Sequence, residues 1–186
     1  MEDPLLAQPH SEVLLHAVEQ ACSQLQPNIL LMGQTPIVRD LAPRLAFRLG
    51  TGLAMDCVEA SIDPATKLLR ETRPIYGGVA MATYSCPEAR PQMATMRAKA
   101  VSPLPRDSAR KGEVIPMKVS LNPSVIKVQV ISTEKQKGEG VRLEDAEVVV
   151  SGGRGLGESA NFKHLEELAK VLKGAVGASR AACDQG

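Results

Sequence analysis

Residues 148–162 read VVVSGGRGLGESANF. Three β-branched residues make a short apolar run that closes on a glycine-dense turn holding one cation, Arg154. A helical pattern follows. In ANFKHLEELAKVLKG (160–174), Phe162, Leu165, Leu168, Ala169 and Leu172 share one helix face, and Gly174 sits where a helix-ending glycine belongs. Residues 146–150 are thus read as a strand, 151–157 as the turn and 160–174 as a helix. The segment around Val176 reads as the next strand and leads into Ser179 and Arg180. Strand, turn, helix, strand is the rhythm of an α/β protein with a parallel sheet.

The turn has its own chemistry. Glycines let a backbone approach a phosphate closely, and N–H groups near a helix start favour negative charge. Arg154 adds a planar cationic fork suited to phosphate. The glycines stand at 152, 153, 155 and 157, which matches neither Gly-x-Gly-x-x-Gly nor a P-loop. Two readings stand side by side: a phosphorylated cofactor site, or a tight strand–helix connection with a surface arginine. If the two strands are neighbours, Arg154, Ser179 and Arg180 all lie just past strand ends, where open parallel sheets bind ligands.

The same rhythm opens the chain. EVLLHAVEQACSQL (12–25) reads as a helix capped by Ser11, and ILLMG (29–33) as a buried parallel strand. TPIVRDLAPRLAFRLG (35–50) reads as a second helix, with Thr35 as cap, Pro36 at its first position and Gly50 past its end. Pro43 inside it demands a kink or a later start. From 52 to 86 short apolar runs alternate with the turn signals DPATK and YGG, which reads as an antiparallel addition at the edge of the parallel sheet. QMATMRA (92–98) alternates as well, and 113–121 and 126–133 read as further strands. The polar, glycine-punctuated stretch 132–145 reads as a linker.

The 186 residues are 44% hydrophobic and carry a net charge of +1, so no global field draws the chain to nucleic acid or membrane. Two Tyr, two Phe and no Trp leave little for stacking on bases. Arg90, Arg97, Lys99, Arg106, Arg110, Lys111 and Lys118 make residues 90–118 locally basic, but without interleaved aromatics this reads as a solvated loop or a partner-facing edge before a phosphate-backbone surface. No apolar run reaches membrane-span length, and the proline-broken, acidic start is unlike a signal peptide, which leaves the cytoplasm as the expected compartment. Cys22, Cys57, Cys86 and Cys183 lack zinc-site spacing and fit a reducing compartment. His10, His16 and His164 are scattered and read as surface or helix-face residues.

VSGGRGLGESANF, LAPRLAFRLGTGLAMDC, ETRPIYGGVAMAT, RPQMATMRA and VGASRAACDQG resemble, in order, the signature stretches of the electron transfer flavoprotein α subunit, from about residue 12 to residue 186. RPQMAT and the 56–74 hairpin look more like the bacterial branch that includes electron-bifurcating members. The resemblance implies a partial Rossmann-like N-terminal α/β domain with antiparallel additions over residues 1–142. Residues 143–186 would then be the first βαβ part of a flavodoxin-like FAD-binding domain. It implies FAD as cofactor and a β subunit as heterodimer partner. It further implies transfer of electrons from flavin dehydrogenases, such as acyl-CoA dehydrogenases of fatty acid β-oxidation, to a membrane quinone oxidoreductase or related acceptor. Such a protein is an electron carrier, with no nucleic-acid partner and no stable membrane insertion. Arg154 resembles the arginine of the FAD site, with Gly153 and Gly155 shaping its turn. Ser179 resembles the serine that bonds the cofactor, and Arg180 the arginine near flavin N5, where a cation stabilises reduced flavin.

The chain also departs from that family. Members begin with further strand–helix units and continue past GASRAA. Val79 replaces an asparagine, and Cys183 and Gln185 replace small apolar residues. The chain is therefore expected to be an internal piece that binds FAD weakly or not at all by itself. Two other classes remain beside this reading. One is an interaction subunit that keeps the fold without flavin. The other is a hydrolase with Ser179 as nucleophile, although Ala181 breaks Gly-x-Ser-x-Gly and no histidine follows.

Overall fold

A computed structural model of the chain describes every residue except 1, 2, 8, 9, 129, 130, 133–141, 144, 185 and 186. It divides into two compact units, Met1–Gln129 and Val130–Gly186. Most of the expected linker at 132–145, together with Gln185, lies outside the described residues.

The first unit opens with α1 (Ser11–Leu25), β1 (Ile29–Gly33) and α2 (Pro36–Leu49). His10 takes the N-cap position expected of Ser11, and the Ser11 hydroxyl instead receives a bond from the Arg44 guanidinium at 3.3 Å. The second helix starts as its sequence dictates. The Thr35 hydroxyl accepts from the Val38 N–H at 3.4 Å, Pro36 is the first helical residue, and Gly50 ends the helix at φ 63°. Pro43 does not delay the start of α2, which runs from Pro36 through it to Leu49. It and Arg39, whose carbonyl loses a helical donor to the proline ring, both lie on the exposed face.

β2 (Leu53–Cys57) and β6 (Gln92–Met96) complete a parallel sheet in the order β1–β6–β2. The alternation seen at 92–98 is therefore a false signal. This strand is central, and Gln92, Met93, Ala94 and Thr95 are all buried. β1 is half-exposed rather than buried, because it pairs on one side only and Leu31 faces solvent. Leu15, Leu41, Leu45 and Ala46 of the helices pack with Met93 into one core. Each fully buried side chain of this size contributes about 1.5–3 kcal/mol.

β3 (Glu59–Ile62), β4 (Leu69–Ile75) and β5 (Ala80–Tyr84) form a separate antiparallel sheet. Its turns are those the sequence announces. The Asp63 carboxylate accepts from the Ala65 and Thr66 N–H groups, and Tyr76–Gly78 make a single 3₁₀ turn. The buried Gln92 Oε1 accepts from the Leu69 N–H at 2.8 Å and ties this sheet to the centre of the parallel one. Residues 113–121 form no strand, nor do 126–128. Their backbone is met by helix side chains instead: Gln20 exchanges two bonds of 2.8 Å with Ser120, and Gln24 donates to the Lys118 carbonyl at 3.2 Å.

In the second unit, β7 (Val149–Gly152) pairs in parallel with β8 (Ala175–Ala178), and α3 (Phe162–Leu172) packs on both. The strand begins three residues later than expected and runs on through Ser151 and Gly152. The left-handed residue ending α3 is Lys173 at φ 54°, not Gly174. Gly174 is small for another reason, the passing Val148 carbonyl. A short α4 (Arg180–Cys183) follows Ser179. Among the described residues no helix is long and apolar enough to cross a membrane.

Candidate functional site

β7 and β8 are neighbours in register, with Ser151 opposite Gly177 and Gly152 opposite Ala178. The Ser179 N–H extends the ladder by donating to the Gly152 carbonyl at 2.9 Å. The chain thus leaves both strands side by side, one at Gly153 and one at Ser179. A Cβ added to Gly153 would stand 3.4 Å from the Ser179 hydroxyl, so the two turns are in contact.

Between them opens a cavity of about 600 Å³. Gly153, Arg154 and Gly157 form one wall and Ala178, Ala182 and Cys183 the other, with Phe162 at the start of α3. Glu158 and Ser159 also line it. The glycine turn does not enter the helix directly. A 3₁₀ turn at Arg154–Leu156, Gly157 at φ 76° and a second 3₁₀ turn at Ser159–Asn161 intervene. The Asn161 amide closes this detour with a bond to the Leu156 carbonyl at 2.6 Å. The groups open to an anion here are therefore the backbone and guanidinium of the detour more than the first turn of α3.

Each candidate residue has a distinct position. Gly153 and Arg154 line the cavity, and the exposed Arg154 side chain has no partner among the described residues. Ser179 is adjacent through Gly153, and its hydroxyl likewise bonds to nothing described. Among the described residues no histidine bonds to it, so the hydrolase reading has no support here. Gly155 lies on the outer side of the turn, with no atom within 4 Å of where a Cβ would sit. Arg180 is fully in solvent and pairs with Asp184, Nε to Oδ2, at 3.6 Å. The structure brings Gly153, Arg154 and Ser179 together and leaves Gly155 and Arg180 at the margin. Phe162, Ala178 and Ala182 were invisible as site residues in the sequence: Phe162 reads there as part of an apolar helix face, and small apolar residues next to a strand carry no chemical mark.

The donor set suits the group its motifs imply. A glycine held against Ser179, an unpaired guanidinium and a phenyl ring around an open cavity can receive an anionic, partly aromatic cofactor such as FAD.

Both parts of the chain match known proteins. Residues 1–122 match the family described as the electron transfer flavoprotein domain, and residues 142–186 match the electron transfer flavoprotein FAD-binding domain. The electron transfer flavoprotein subunit alpha of Thermoanaerobacterium thermosaccharolyticum is 44% identical over 186 residues, which is 100% of this chain and 56% of that protein. The subunit alpha of Megasphaera elsdenii is 41% identical over 187 residues, 100% of this chain and 55% of its own length. Protein FixB of Clostridium saccharobutylicum is 44% identical over 162 residues, 87% of this chain and 48% of that protein. The chain spans about half the length of the curated relatives it matches. It belongs to the electron transfer flavoprotein family, on the side of its α subunits.

Proposed function

We propose that the chain is the part of an electron transfer flavoprotein α subunit that begins the FAD site, with Arg154, Gly153 and Ser179 as its contribution. The observation that carries this reading is the contact between the two strand-end turns, Gly153 against Ser179, beside an unpaired arginine. Bound FAD supplies reversible electron uptake at its isoalloxazine ring. The chain's own residues bind and orient it. Arg154 offers a guanidinium fork to an anionic group, and Ser179 offers a hydroxyl within reach of the same wall. Gly155 keeps the outer turn slim enough for a second surface to approach. Arg180 would have to leave Asp184 before it could stabilise added negative charge on the flavin ring.

A β subunit is the partner of this reading. Donors are flavin dehydrogenases, acyl-CoA dehydrogenases among them, and the acceptor is a membrane quinone oxidoreductase or a related protein. The setting is the cytoplasm, with the protein acting as carrier rather than catalyst; a bifurcating complex is the alternative role. Coexpression with the β subunit of a relative tests the site. A copurifying yellow flavin that falls strongly in Arg154→Ala, with the complex intact, is expected. A colourless complex assigns the chain an interaction role without flavin.

A further inference from the structure

A second cavity, about 470 Å³, opens in the first unit at the carboxyl ends of β1 and β2. Gln34, Pro36, Arg39, Met55, Asp56 and Arg73 line it. The crevice beyond strand ends is where parallel sheets hold ligands.

Its charge is unbalanced. Arg97 grips Asp56 with both arms, Nε to Oδ1 at 2.9 Å and NH2 to Oδ2 at 2.7 Å. That hydrogen-bonded fork holds the Asp56 carboxyl below the usual carboxylate range, while Arg73 and Arg39 act on it through charge alone. The only carboxylate in the lining is thus already satisfied by a third arginine. The side chains of Arg73 and Arg39 have no hydrogen-bond or ion-pair partner among the described residues. A buried, unpaired guanidinium N–H is costly unless a ligand meets it.

Two atoms narrow the ligand. Arg73 Nε and Gln34 Oε1 are both shielded from solvent, and neither has a partner among the described residues. One must donate and the other must accept. A bare oxyanion answers the arginine and leaves the amide oxygen unmet. A phosphate that still carries a proton answers both: its charged oxygens accept from Arg73 and Arg39, and its P–OH donates to Gln34. We propose that this cavity binds hydrogen phosphate.

Calorimetric titration of sodium phosphate into the full chain, in a buffer free of other oxyanions, tests this. Saturable binding is expected, with sulfate weaker because it has no proton to give at neutral pH. Arg73→Gln and the exposed Arg39→Gln should each weaken phosphate by about tenfold. Arg39→Gln keeps the test open if Arg73→Gln fails to fold. Gln34→Leu should bring phosphate down to the level of sulfate. A phosphomonoester such as glycerol phosphate should bind only as its own P–OH returns, toward pH about 6; a neutral-pH preference for the ester would overturn the assignment to free phosphate. Equal binding of phosphate and sulfate overturns the proposal. So does unchanged affinity in Arg39→Gln, or binding that vanishes in Arg154→Ala and so belongs to the flavin domain.

Discussion

The Val148 carbonyl passes so close to Gly174 that a Cβ on Gly174 would collide with its oxygen. The same carbonyl accepts from the Ala175 N–H at 2.9 Å, the contact that starts the β7–β8 pair. Backbone cannot give way there as a flexible side chain would. Gly174→Ala should therefore destabilise the second unit by about 1–3 kcal/mol, the usual range for overpacking. Gly155→Ala is the control, because nothing stands within 4 Å of its Cβ and its φ is not positive. Amide exchange at Ala175–Ala178 would read the difference. Equal protection in the two variants would refute the close approach as the reason for glycine at 174.

Glu71 of β4 is only 3% exposed, and burial pushes its carboxyl up to about 7. The sign follows from linkage. The folded state holds the proton more tightly than the unfolded chain, so the group's favourable contribution is complete below its ordinary value of 4.5 and is lost as pH rises through 7. The full difference is at most about 3 kcal/mol. It is tempered by the cavity of about 250 Å³ that Glu71 shares with Tyr84 and Cys86 and that can admit water. Denaturant unfolding from pH 5 to pH 8 should show wild-type stability falling relative to Glu71→Gln. Parallel curves for the two proteins would mean that Glu71 stays ionised in the folded state.

Sequence alone exposed the parts of this chain governed by local rules. Thr35, Pro36 and Gly50 bracket α2 as their backbone preferences require. Asp63 and the Tyr76–Gly78 turn punctuate the antiparallel sheet. It misled where neighbours decide. β6 alternates in polarity yet lies central, because Gln92 and Thr95 spend their polar groups on the Leu69 and Asp56 N–H groups. Residues 113–121 alternate like a strand, yet Gln20 and Gln24 meet their backbone. Arg154 and Ser179 were legible because a glycine turn and a strand end mark them. The Arg39–Asp56–Arg73 cavity was not, since α2, β2 and β4 each supply one member.

The two bonds between Gln20 and Ser120 should be what holds residues 118–120 against α1. Gln20→Ala removes both at once, and the segment offers no strand pairing to replace them. The expected effect on global stability is small, about 1 kcal/mol. The local effect is larger: limited proteolysis should cut between Lys118 and Asn122 faster in the variant than in wild type. Unchanged cleavage would mean that Gln24 and side-chain packing suffice.

Arg154 and Arg180 are both arginines beside the same strand ends, but their settings predict different behaviour. Arg154 lines the cavity without a partner among the described residues, whereas Arg180 is in solvent and already paired with Asp184. If Arg154 meets an anionic part of the cofactor, Arg154→Ala should cost about tenfold or more in flavin retained by the complex with a β subunit, and Arg154→Lys should recover part of it. If Arg180 comes to lie near the ring, Arg180→Ala should leave flavin content nearly unchanged and instead lower the reduction potential, because a cation there favours the reduced, more negative flavin. Asp184→Asn should shift the potential the opposite way by releasing Arg180. Flavin content and potential are read separately, by visible absorbance after denaturation and by equilibration with redox dyes. Loss of flavin in Arg180→Ala with no change in Arg154→Ala would reverse the two roles.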